Sequence, residues 1–135
     1  MSTLSQNIKR NSKKYKRYLS AALFSCPQAR GYALRVRITT PRKPNSARRA
    51  TVKVRLNNRR RVISYIPGKG HNVRKHSDLL IRGGGARDLP GVYYACIRGV
   101  LDLAGVLNKT KRRSIYGISQ PATLKLRLRR RYRNI

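Results

Sequence analysis

Glutamate and tryptophan are both absent from this chain, and its three acids are Asp78, Asp88 and Asp102. So few carboxylates leave little material for paired acid–base catalysis or a carboxylate-rich Mg²⁺ site, which sets aside hydrolases and metal-dependent nucleases. Cysteine is scarce: Cys26 and Cys96 stand far apart, make no C-x-x-C pair and cannot build a dense disulfide scaffold, so a reducing compartment fits best. Long apolar runs are missing too. Val100 to Leu107, interrupted by Asp102, falls far short of the ~20 residues a spanning helix needs, and no membrane partner is expected. What the sequence holds instead is positive charge: 34 Lys and Arg give +31 over 135 residues. Cations this dense repel one another and destabilise a compact state formed alone, so a polyanionic partner is expected.

The charge is unevenly framed by structure. Residues 1–25 carry Lys9, Arg10, Lys13, Lys14, Lys16 and Arg17 with one apolar cluster, Leu19 to Phe24. They read as a basic N-terminal arm that is extended or short-helical and orders on a polyanion. From Tyr32 the period becomes two. Leu34, Val36 and Ile38 alternate with Arg35, Arg37 and Thr39, and Ala50, Val52, Val54 and Leu56 alternate with Thr51, Lys53 and Arg55. Each pattern predicts a strand with an apolar inner face and a cationic outer one. Asn57-Asn58 predicts a tight turn into a third strand, Arg61 to Ile66. Asp78 to Ile81 and Val92 to Ile97 supply a fourth and a fifth, separated by Gly83-Gly84-Gly85. Five strands in about 70 residues predict an all-β fold: a small antiparallel barrel of the oligonucleotide-binding type over residues 26–107, with an SH3-like barrel as runner-up. Residues 108–135, with Lys111, Arg112 and Arg113 and an Arg-rich end, read as a second basic tail suited to bidentate phosphate contacts.

Candidate chemistry is thin. His71 and His76 have no thiolate beside them, so no metal site or other cofactor is expected. No G-x-S-x-G or P-loop occurs, and no enzyme activity is expected. The segment Thr40 to Ala47 stands out, because Pro41 and Pro44 stiffen a loop that carries Arg42, Lys43, Asn45 and Ser46. A stiff loop lowers the ordering cost of binding; its cations suit phosphates, and Asn and Ser suit ribose hydroxyls in a shallow RNA groove. In the second loop, Gly83 to Gly91, Asp88 is expected to accept hydrogen bonds from loop amides and shape the turn before Pro90.

Four motifs carry a resemblance: Cys26-Pro27-Gln28-Ala29-Arg30-Gly31; Pro41 to Ala47; Pro67-x-x-Gly70-His71-Asn72-Val73-x-x-His76-Ser77; and Arg82-Gly83-Gly84-x-x-Arg87-Asp88-Leu89-Pro90-Gly91-Val92-x-Tyr94. Together they resemble the S-twelve family of small-subunit ribosomal proteins, in its bacterial and organellar form. The resemblance implies a structural, rRNA-binding constituent of the small subunit that braces the decoding centre and supports accurate tRNA selection. It implies small-subunit rRNA and other small-subunit proteins as partners, with tRNA and an elongation factor as transient ones. Arg42, Lys43, Pro44, Asn45 and Ser46, with Arg87, Asp88, Leu89 and Pro90, would face the decoding-centre RNA, and His76 the tRNA and factor. Lys9, Arg10, Lys13, Lys14, Arg35, Arg37, Lys53, Arg55, Lys111, Arg112 and Arg113 would bind rRNA. Asp88 matches an aspartate that is methylthiolated in many bacterial members.

The departures point to an organelle. Arg42 and Arg87 stand where the family commonly has Lys, a change expected to reduce streptomycin sensitivity. Ala95-Cys96 replaces a common His after the Tyr, and the chain runs past Gln120 into its Arg-rich tail. Met1 to Leu4 falls near the family's usual start, so a mitochondrial, organelle-encoded protein is expected, with the bacterial cytoplasm or plastid stroma as second choice. The rival function is a free single-stranded RNA chaperone of the cold-shock type, which would need exposed aromatics; Tyr65, Tyr93 and Tyr94 are the candidates.

Overall fold

A computed structural model describes residues 3–6 and 20–121. Five strands form a closed barrel in the order β1-β2-β3-β5-β4: β1 (Gln28–Thr39), β2 (Arg49–Leu56), β3 (Arg61–Tyr65), β4 (Asp78–Gly83) and β5 (Tyr94–Cys96). The expected oligonucleotide-binding type of barrel is therefore present, with one correction. β5 runs parallel to β3, through Ser64↔Tyr94 and Tyr65↔Ala95, while every other neighbouring pair is antiparallel. The reason is parity: a closed ring with an odd number of strands cannot alternate direction all the way round, so one seam must be parallel.

β1 closes the ring because it is long enough to pair twice. Its first half meets β4, from Gln28↔Arg82 to Tyr32↔Asp78, and Gly31 onward meets β2. At the crossover, Gly31 is paired on both sides, and a Cβ there would collide with the Arg55 carbonyl. Its lack of a side chain lets the two sheets meet.

The register of β1 slips between Ala33 and Arg35, a bulge that leaves Leu34 without a partner. This corrects the simple alternation. Leu34 is half-buried, and Ile38 is 72% exposed because the end of β1 runs past the core as a two-stranded arm with β2. β2 buries Val52, Val54 and Leu56 as expected, but Thr51, expected on the outer face, is buried as well and shares a 2.7 Å hydroxyl hydrogen bond with Thr39 of β1. The turn into β3 places Arg59, after Asn57-Asn58, at φ 66°. The core gathers these side chains with Ala33, Val62, Ile66, Val73, Leu79, Ile81, Cys96 and Leu103. Ser64 Oγ is buried among them with no hydrogen-bond partner.

The apolar cluster before the barrel enters the same core. A 3-10 turn, Ala21–Leu23, buries Ala22 and Leu23. The Ala22 amide donates to Tyr94 Oη at 3.1 Å, while Asn58 Nδ2 and Arg60 Nη1 donate to the carbonyls of Ala22 and Ala21 at 2.7 and 2.9 Å. After the barrel, a one-turn helix α1 (Arg113–Tyr116) ends at Gly117, which lies so close to the Arg98 backbone that no Cβ would fit. Among the described residues, no helix is long and apolar enough to cross a membrane.

Candidate nucleic-acid interface

Two loops meet at one end of the barrel, and a single carboxylate joins them. The first, residues 40–48, links β1 to β2; the second, residues 84–93, links β4 to β5. Asp88 Oδ2 accepts from Arg49 Nε at 2.8 Å and from Arg49 Nη2 at 2.6 Å, with Asn45 Nδ2 at 3.5 Å. The backbone repeats the tie, since the Arg42 amide donates to the Asp88 carbonyl at 2.8 Å. The Asp88 side chain is 11% exposed. The Arg49 guanidinium holds the Asp88 carboxyl below its ordinary value of 3.8, and the same pair raises Arg49. Arg49 also lies 6.0 Å from the Tyr65 ring centroid, so the ion pair is backed by an aromatic face. Beyond the expected part in its own turn, where a backbone hydrogen bond also helps hold the carboxyl down, Asp88 reaches across to the other loop.

This strut leaves the loop tips free. Arg42, Lys43, Pro44, Asn45 and Ser46 are exposed, as are Arg87 and Pro90. Leu89 turns inward at 3% exposure and anchors the second loop against the barrel, while Pro41 is buried and anchors the first. The outcome is a rigid bed presenting cations and small polar groups, chemistry suited to phosphates and ribose edges.

The remaining candidate residues are distributed around the barrel. Arg35, Arg37 and Lys53 are exposed on the outer face of β1 and β2, with Arg35 directly opposite Lys53, and Arg55 is half-buried. Like charges placed opposite one another are unfavourable alone and are relieved by an anion. Lys111 and Arg112 are exposed beside α1, and Arg113 is half-buried. His76 is exposed at φ 68°, its amide donating to the Ala33 carbonyl at 2.8 Å and its ring stacked on Tyr32 at 6.2 Å. That attachment lies about 20 Å along β1 from the end that carries the loops, so His76 is not brought to the loop tips. Lys9, Arg10, Lys13 and Lys14 lie outside the described residues, as does the Arg-rich segment after residue 121. Among the described residues, no group of three metal-ligating side chains converges.

Sequence reasoning missed the partners of the acids. Arg49 serves Asp88, Arg30 pairs with Asp78, and Asp102 Oδ2 accepts the Asp78 amide at 2.6 Å. A scarce acid in a chain this cationic is a signal for a specific partner, but which of many arginines answers it depends on the register. The aromatics of the rival reading are largely used inside the fold. Tyr94 binds the Ala22 amide, Tyr65 lies half-buried under Arg49, and Tyr93, at 73% exposure, offers a single free ring.

Comparison with known proteins decides the family. The family model described as "Ribosomal protein S12/S23" matches residues 16–123. The chain belongs to this family. A relative from Paramecium tetraurelia, "Small ribosomal subunit protein uS12m", is 56% identical over 135 residues, covering 100% of this chain and 97% of the relative. Membership of this ribosomal family makes the chain a structural constituent rather than an enzyme. The loops and the barrel both fall within the matched span.

Proposed function

We propose that this chain is a constituent of the small subunit of the mitochondrial ribosome, where it binds small-subunit rRNA, contacts neighbouring small-subunit proteins and braces the decoding centre. The small-subunit and mitochondrial setting is that of the Paramecium relative, matched end to end. The observation supporting the bracing role is the strut: Asp88 and Arg49 lock together two loops whose tips stay exposed.

In this reading Arg42 to Ser46 lie against the codon–anticodon minihelix and the rRNA bases that monitor it. Arg87 and Pro90 lie alongside, and the buried Leu89 between them fixes the second loop. The protein reads no base. It stabilises the closed rRNA state that cognate pairing favours, so its effect is a difference between two states of the particle. A bias of about 0.3 to 2 kcal/mol is enough to alter accuracy several-fold, because 1.4 kcal/mol is a factor of ten. His76 and Tyr32 form a separate exposed patch that meets the tRNA and its elongation factor transiently. Arg35, Arg37, Lys53, Arg55 and Lys111 to Arg113 neutralise rRNA phosphates around the barrel, and the arm cations Lys9, Arg10, Lys13 and Lys14 do so along the N-terminal extension. Asp88 is also the proposed site of a modification, tested by the mass of the peptide that begins at Asp88.

Sedimentation tests the placement. A subunit constituent with embedded arms stays with mitochondrial small subunits through a high-salt gradient, whereas a loose phosphate binder is stripped as counterions compete. Release of the whole chain at moderate salt would overturn the reading. The cold-shock alternative is disfavoured by the shortage of free aromatic faces among the described residues.

A further inference from the structure

Arg98 is 4% exposed, and its guanidinium is held by backbone carbonyls. Nε donates to Ala104 O at 2.9 Å, and Nη1 donates to Pro67 O at 3.1 Å and Gly70 O at 2.7 Å. No carboxylate reaches it among the described residues, because Asp78 pairs with Arg30, Asp88 with Arg49, and Asp102 takes the Asp78 amide. A buried charge without a counter-charge is costly. Burial accordingly lowers the Arg98 pKa.

The remaining donors give the charge an outlet. Arg98 Nη2 has no acceptor among the described residues, whereas Nε and Nη1 do. Arg98 lines an open cleft of about 330 Å³ together with Lys69, Gly70, His71, Asn72 and Val106, and no acid lines it. The wall is built in advance: Asn72 Nδ2 donates to Asp102 O at 2.8 Å and its Oδ1 accepts the Ala104 amide at 3.1 Å. One carbonyl-braced guanidinium edge and one ammonium, on a rigid wall, suit a tetrahedral oxyanion.

We propose that this cleft is a phosphate site in which a phosphodiester of ribosomal RNA docks on the Nη2 edge of Arg98 and on Lys69. The site is separate from the decoding loops and rests on the ribosomal reading above. Its occupancy supplies the counter-charge Arg98 lacks and fixes the 67–72 loop against the subunit.

A high-resolution reconstruction of the intact mitochondrial small subunit tests this. The expected result is an RNA phosphate within hydrogen-bond distance of Arg98 Nη2 and beside Lys69. A cleft holding solvent, a lone ion or a segment of another protein overturns the inference while leaving the chain in the particle, whereas absence of the chain overturns the ribosomal reading as well. A second arm uses Lys69→Gln, which leaves the carbonyl cage of Arg98 intact. Binding of the full chain to small-subunit rRNA is expected to lose about 0.7 to 0.9 from the slope of log affinity against log salt, the share of one phosphate contact. An unchanged slope contradicts the proposal.

Discussion

At the scale of single residues, the chain uses its few unusual side chains sparingly and specifically. Asp88 carries the tie between the loops. Because its carboxyl titrates below 3.8 when folded, the tie stabilises the folded state above that pH and is lost as pH falls through the lowered value. The protection of the 40–48 and 84–93 loop amides, measured against their intrinsic exchange rates at each pH, is therefore expected to fall on acidification, and Asp88→Asn should show the reduced protection already at neutral pH. Equal exchange in both proteins would remove the strut from the explanation. The two thiols should separate as sharply. Burial pushes Cys96 up to about 12, whereas Cys26 is exposed. A thiol reagent at neutral pH is expected to label Cys26 in the native protein and Cys96 only after unfolding. Comparable labelling of both would show that the barrel opens far more readily than its packing implies. The sequence displayed Asp88 as an oddity but gave no sign of Arg49 or of the caged Arg98, since one arginine among many looks like any other until the register assigns its neighbours.

At the scale of elements, the period-two pattern announced β1 and β2, because a strand with one wet face must alternate, while turn and glycine signals marked β3, β4 and β5. It did not announce where alternation stops. Leu34 and Ile38 continue the pattern of Val36, yet the bulge and the overrun of β1 decide their burial, and both follow from pairing partners distant in sequence. The parallel β3–β5 seam was likewise hidden, although ring closure makes one such seam necessary. Gly31 holds the crossover, and Gly31→Ala is expected to destabilise the chain by about 1–3 kcal/mol through overpacking against the Arg55 carbonyl. Leu23→Ala should cost about 2–5 kcal/mol by opening a hole where the 3-10 turn docks. Denaturant midpoints of the full chain, with and without rRNA, measure both. A neutral Leu23→Ala would mean that the segment before the barrel adds nothing to the core.

At the scale of the whole molecule, charge sets the conditions for folding. A chain of +31 with a small core should gain stability from screening, so its thermal midpoint is expected to rise with salt when free and to rise further on rRNA through linkage. The polyanionic partner was legible from composition alone, and the family from four short motifs. The joining of two loops by one ion pair was not, because it depends on the closure of the barrel. The same closure underlies the proposed bracing of decoding, which near-cognate misincorporation by mitochondrial ribosomes carrying Lys43→Ala together with Pro44→Ala tests most directly. With subunits assembled normally, the error rate should shift several-fold from wild type. An unchanged error rate in fully assembled particles would contradict the bracing role.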